Sequence, residues 1–248
     1  MSLVFLAWFM VVAMPAESAA VEKSEIRLVE RIADGYKGRL GFGGPDSQPV
    51  AEELVRFLVC LAHRGKSTAP CAALRRVSGE EKAGLKMDEV CRMFYHLNSL
   101  AVAAAQRRQE EALTHCGAIM LLFGAAYFGK DTKPVCSAWS DAYRSSYFPL
   151  CSLLASDYYV GWYPEEFGYE CRTLIYVPNK NSCRQIKARW RKKQCLTQAL
   201  LVKAAKERNA DFCGHDSVCR AAITPNAEDC GSLEMKLRKF TEKRNEKP

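Results

Sequence analysis

Apolar positions recur at helical spacing along most of the chain. Ile26, Leu28, Val29, Ile32 and Tyr36 predict a short amphipathic helix over 24–36. Residues 35–49 follow with five glycines and two prolines and read as a loop or linker. Pro49 then opens a well-marked helix, at the position where a missing N–H costs nothing. Its stripe is Val50, Leu54, Phe57, Leu58 and Leu61, with Cys60 beside it, and Gly65 is placed to end it in a left-handed cap. A second short helix starts at Pro70 and carries Cys71 in its first turn.

Ser78 and Glu81 have the spacing of a capping box. Helical periodicity resumes near Met87 and runs through Val90, Met93, Phe94, Leu97, Leu100 and Ala101 to the alanines at 103–105. The polar stretch 106–111 predicts a bend or an exposed turn. From Ala112 to Phe128 the chain is nearly all apolar; Cys116 to Phe128 is only thirteen residues, short for a membrane span and suited to a helix buried all round, the expected centre of the core. His96 and His115 fall on these apolar helices and read as hydrogen-bonded core or boundary residues. Residues 121–129 and 153–161 share a Leu-Leu, Tyr, Gly pattern at a 32-residue offset, with Cys136 and Cys171 following. Such a period fits stacked helical hairpins. Around 158–177 seven aromatic residues crowd an irregular segment, which reads as a cover for the open end of a helical core.

The last third predicts a helix over 184–209, with Ile186, Trp190, Leu196, Leu200 and Leu201 as its apolar stripe. A tight cysteine loop follows, then a short helix from about Ser217 ended by Pro225. A charged helix from about Gly231 to Lys243 and a polar tail at 244–248 complete the chain.

Twelve cysteines, none in C-x-x-C spacing, argue against the common zinc, thioredoxin-like and c-type haem arrangements. The apolar run Leu3–Met14, Pro15 and the small residues Ser18 and Ala20 have the pattern of a signal peptide over residues 1–20, although no Lys or Arg precedes the run. Export would place the cysteines where disulfides form, in a periplasm or outside the cell. Hairpin geometry pairs Cys60 with Cys71, and the same interval pairs Cys219 with Cys230. Cys91, Cys116, Cys136, Cys151, Cys171, Cys183, Cys195 and Cys213 are left without assigned partners. Five cysteines lie in 183–230 and seven before it, so full pairing requires at least one bridge between the two parts.

Charge is uneven. Residues 21–179 carry 19 basic and 19 acidic side chains, whereas residues 180–248 carry 17 and 8. The excess points to an anionic partner, an envelope component or an acidic protein, met by Arg184, Lys187, Arg189, Arg191, Lys192 and Lys193. No specific nucleic-acid motif accompanies it. Glycines 41, 43 and 44 lack the strand and the Lys-Ser/Thr of a phosphate loop. His215 and Asp216, framed by Cys213 and Cys219, are the candidate catalytic pair. The pair resembles the His-Asp dyad of secreted phospholipases A2, which lies on a disulfide-tied helix beside a glycine-rich calcium loop, but here Gly214 precedes it, the predicted helix begins after it, and Asp216 or Ser217 suits its N-cap. Glu165 and Glu166 are adjacent, a poor arrangement for a glycosidase pair. No metal site and no cofactor is expected.

The sequence therefore predicts an all-α chain of eight or so helices in disulfide-stapled hairpins, arranged as a short irregular repeat array with the aromatic segment near 158–177. Its expected division is signal peptide (1–20), N-terminal helix and linker (21–49), helical core (50–179), basic cysteine-rich region cross-linked to that core (180–243), and tail (244–248). The expected role is a secreted or periplasmic, non-enzymatic scaffold or binding protein that is not an integral membrane protein after signal removal. The rival readings are a small secreted hydrolase of envelope lipid or glycan, and a secreted inhibitor or effector.

Overall fold

The computed structural model describes residues 16–36, 47–75, 86–123, 136–137, 140, 189–225 and 230–245. Among them every regular element is helical and no strand occurs. In chain order these are α1 (Ala16–Gly35), α2 (Gln48–Gly65), a 3-10 turn (Ala69–Leu74), α3 (Met87–Ala105), α4 (Gln109–Phe123), α5 (Arg189–Glu207), a second 3-10 turn (Ala210–Cys213), α6 (Ser217–Ile223) and α7 (Gly231–Asn245). None is long and apolar enough to cross a membrane. α1 begins at Ala16, so the bond after Ala20 lies within its first turns.

Local chemistry explains most of the boundaries. Pro49 stands in the first turn of α2. At the start of α3 the Glu89 carboxylate accepts a hydrogen bond from the Lys86 N–H at 2.9 Å. Asp216 caps α6, its Oδ1 accepting from the Cys219 N–H at 3.0 Å. The left-handed residue that closes α2 is Lys66, at φ 50°, and not Gly65 as expected. Gly65 keeps the last helical position. The Ser67 N–H then reaches back to the Ala62 carbonyl at 3.0 Å, which requires the turn one residue later.

Two apolar clusters share α3. The first gathers Leu28, Val29 and Ile32 of α1 with Leu54, Phe57 and Leu58 of α2, Met87 and Cys91 at the start of α3, and Leu233 and Leu237 of α7. The second gathers Leu100 and Ala101–Ala104 at the end of α3 with Ala112, Cys116, Ile119 and Met120 of α4 and Leu201, Val202, Ala204 and Ala205 of α5. Phe57, Leu54 and Leu58 are among the largest fully buried side chains, so α2 occupies the place expected of residues 112–128. Among the described residues α4 is not buried all round. Its buried positions 112, 116, 119 and 120 form one stripe, while Leu121 is 79 % exposed.

Buried carboxylates form ion pairs between neighbouring elements. Buried Glu25 of α1 receives both terminal nitrogens of Arg64 in α2, at 3.2 and 2.5 Å, a bidentate pair that docks α1. Buried Asp88 of α3 receives Arg75 Nε at 3.1 Å and an Arg92 nitrogen at 2.8 Å.

Four disulfides are present among the described residues: Cys60–Cys230, Cys71–Cys91, Cys116–Cys136 and Cys213–Cys219. The expected pairs Cys60–Cys71 and Cys219–Cys230 are therefore both corrected. The end of α2 does pack on the first 3-10 turn. Cys60, however, lies more than a helical turn before that end, on the face that carries α6 and α7, where its sulfur also stands 3.7 Å from the Ser217 carbonyl. Cys71 faces the opening turns of α3 instead. Cys219 turns inward to the second cluster and meets Cys213, six residues away, across the cap of α6. The Cys60–Cys230 bridge ties the C-terminal helices to α2.

The Ser78 capping box, the glycines at 41–44, the 121–161 repeat beyond Leu122, the aromatic segment, Glu165–Glu166, and Cys151, Cys171 and Cys183 lie outside the described residues. So do the side chain of Cys195 and those of Arg189, Trp190, Arg191, Lys192 and Lys193; Arg184, Ile186 and Lys187 lie outside altogether.

Candidate functional site: a histidine–tyrosine cluster between the two cores

Three of the four histidines meet around one tyrosine, where α3 passes from the first apolar cluster to the second. α3 and α4 form an antiparallel hairpin about the turn at Gln106–Arg108, in which Arg107 adopts a left-handed φ of 63°. His96 lies ten residues before that turn and His115 seven after it, and the packed hairpin brings their rings together. Nδ1 of His96 lies 3.0 Å from Nδ1 of His115. α2 ends against the same place. His63, in its last turn, packs its ring on Tyr95 with centroids 4.9 Å apart. Tyr95 in turn meets His96 and His115 edge-on, at 5.1 and 5.9 Å.

The environment keeps these rings neutral. Burial pushes the His63 imidazole from its ordinary 6.5 to about 3, and the fields of His115 and His96 act in the same direction. Burial also lowers His96 to about 4, aided by His115 and Arg92. The His115 imidazole is lowered by burial as well, against the opposing pull of Glu111. That carboxylate stands 3.9 Å from His115 Nε2 and is itself paired with Arg108. Burial raises the Tyr95 hydroxyl, while its hydrogen bond with Ser99 works the other way. His63 Nε2 is buried without a hydrogen-bond partner.

The facing Nδ1 atoms can share one proton, one ring donating and the other accepting. Tyr95 and His63 add polarizable walls but no nucleophile and no second carboxylate. Among the described residues no group of three or more His, Cys, Asp or Glu side chains has the geometry to hold a metal ion. The arrangement can therefore store or release protons, but it does not assemble a nucleophile, a base and an oxyanion pocket.

The sequence-derived candidates are placed elsewhere. His215 is exposed in the turn before α6. Both carboxylate oxygens of Asp216 are engaged by the fold, Oδ1 in the helix cap and Oδ2 with an Arg56 nitrogen at 3.1 Å. Of the basic run, Arg189, Arg191, Lys192 and Lys193 lie on the first turns of α5. Sequence reasoning treated His96 and His115 singly and did not bring in His63. The available signal was that His96 and His115 fall on consecutive apolar helices joined by the polar stretch 106–111. The chain matches no protein-family model, no curated protein and no solved structure.

Proposed function

We propose that this is an exported, non-enzymatic helical binding protein whose basic C-terminal part meets an anionic partner. The observation that carries the proposal is the concentration of positive charge in residues 180–248, 17 basic against 8 acidic side chains, in a region tied to α2 through the Cys60–Cys230 bridge. Lys203 on α5 and Lys236, Arg238 and Lys239 on α7 are exposed. Lys236 and Lys239 line a shallow groove with Phe240 and Glu53, an arrangement suited to an acidic group carried on an apolar stem. Four disulfides among the described residues are compatible with an oxidising compartment.

The test is sedimentation of the oxidised protein with phosphatidylglycerol vesicles, and in parallel its binding to a polyglutamate column, over a salt series. Affinity for one of these surfaces should fall steeply with salt, because exposed charges are screened beyond about 10 Å at 0.1 M. A Lys236→Glu/Lys239→Glu variant and an Arg191→Glu/Lys192→Glu variant should each weaken that binding. Absent or salt-insensitive binding would remove the basic-face reading. Vesicle-only and polyglutamate-only outcomes separate a lipid headgroup from an acidic protein.

A further inference from the structure

We infer that the His63–Tyr95–His96–His115 cluster is an acid-operated latch, in which a second proton entering the His96–His115 pair releases α4 from α3 while the bridged remainder stays folded.

The first ground is the shared bond itself. One proton between the two Nδ1 atoms makes a hydrogen bond. A proton on each nitrogen sets two donors face to face at 3.0 Å, and the contact becomes repulsive. His63, whose buried Nε2 has no partner, cannot take up charge in its place without further cost.

The second ground is the charge around the pair. From α4 come Glu111, which can offset one positive charge, and Arg108, which is paired with it. From α3 comes Arg92, whose guanidinium is bound to Asp88. From α2 the neighbouring Arg64 is bound to Glu25. α5 meets the middle of α3 through neutral groups, Gln198 donating to Asn98 at 2.8 Å, and its Lys203 lies over the Phe212 ring. On α6 the Asp216 carboxylate is bound to Arg56. Among the described residues, therefore, one carboxylate faces as many as three imidazolium charges.

The third ground is where the disulfides run. Cys60–Cys230 joins α2 to the turn that begins α7, Cys71–Cys91 joins the first 3-10 turn to α3, and Cys213–Cys219 closes the cap of α6. The bridge on α4 runs onward to Cys136 and not back to α3 or α2. Among the described residues, then, no covalent tie other than the turn at 106–108 resists α4 swinging away. Opening would uncover the stripe Ala112, Cys116, Ile119 and Met120, so apolar surface becomes available only in acid.

Hydrogen exchange of the full oxidised chain at pH 7 and pH 4, corrected for the intrinsic pH dependence of exchange, tests this. Protection over 109–123 should fall at least about tenfold more than protection over α2 and α7, as expected for a local opening. His96→Gln and His115→Gln, which keep a hydrogen-bonding amide but cannot titrate, should abolish the selective loss. His215→Gln should leave it unchanged. Uniform loss of protection, no loss, or equal loss in the two glutamine variants overturns the latch. Should those variants fail to fold at pH 7, imidazole NMR titration of the unaltered protein decides. Both rings titrating near the ordinary ~6.5 with α4 still protected overturns it, and a second ring that takes its proton only well below that, as protection over 109–123 is lost, supports it.

Discussion

Cys60 and Cys230 are separated by 170 residues and joined through one disulfide, with their Cα atoms 6.1 Å apart. Cys213 and Cys219, by contrast, close a loop only six residues apart in sequence. The first bridge lies in the first apolar cluster and the second in the other, and the two differ about thirtyfold in the length of chain they close.

Removing Cys60–Cys230 by paired alanine substitution is expected to cost about 4–5 kcal/mol, and removing Cys213–Cys219 about 2 kcal/mol, if the entropy of the unfolded chain sets the scale. Urea unfolding of the two double variants checks the order. Equal losses would mean that local packing at each bridge, and not chain entropy, sets its contribution.

The helices were legible because their ends carry local chemistry. Pro49 opens α2, Asp216 caps α6, and the stripe of α3 is readable from Met87 to its alanines. Disulfide partners were not legible in the same way. They depend on which face of α2 meets α7, a relation between segments 170 residues apart that hairpin spacing ignores. The even apolarity of 112–128 hid the one-sided burial of α4, since apolarity alone does not say which side finds a neighbour. The histidine cluster fell between these cases. The hairpin pairing of 96 with 115 follows from a local turn, but the arrival of His63 is a tertiary event.

The end of α2 offers a test of backbone chemistry. Lys66 is exposed and holds φ 50°, a region in which a Cβ costs about 1–2 kcal/mol, while the adjacent Gly65 holds a helical position with open space around it. Lys66→Gly and Gly65→Ala should each stabilise the protein by about 0.5–1 kcal/mol, and together roughly additively. Denaturant midpoints of the two single variants and the double variant check this. A loss in Gly65→Ala would show that residue 65 needs more freedom than its helical position implies.

Asp88 should be far more sensitive than its partner Arg75. The carboxylate is 4 % exposed and bound by two guanidiniums, whereas the Arg75 side chain is 63 % exposed. Asp88→Asn leaves Arg92 without its buried anion and should cost about 3 kcal/mol, as breaking a buried pair does. Arg75→Gln removes a largely solvated charge and should cost under about 1 kcal/mol. Thermal unfolding of the two variants at pH 7 compares them directly.

His63 gives a pH prediction whose sign is fixed by burial. Its imidazole sits at about 3 in the fold, below the ordinary 6.5 of an unfolded chain. As pH falls through that window, the unfolded chain binds the proton first. The contribution of neutral His63 to stability is therefore full above about 6.5, declines as the pH drops toward 3, and changes no further below that. Phe at this position keeps a ring against Tyr95, cannot titrate and leaves no unpaired nitrogen. His63→Phe should be near neutral or mildly stabilising at pH 7. At pH 5 its advantage over the unaltered protein should be about 2 kcal/mol larger, the order expected for a shift of this size. Urea unfolding at the two pH values measures that difference. Parallel stability curves for variant and unaltered protein between pH 7 and 5 would mean that His63 is protonated in the fold, in contact with a group that stabilises its charge.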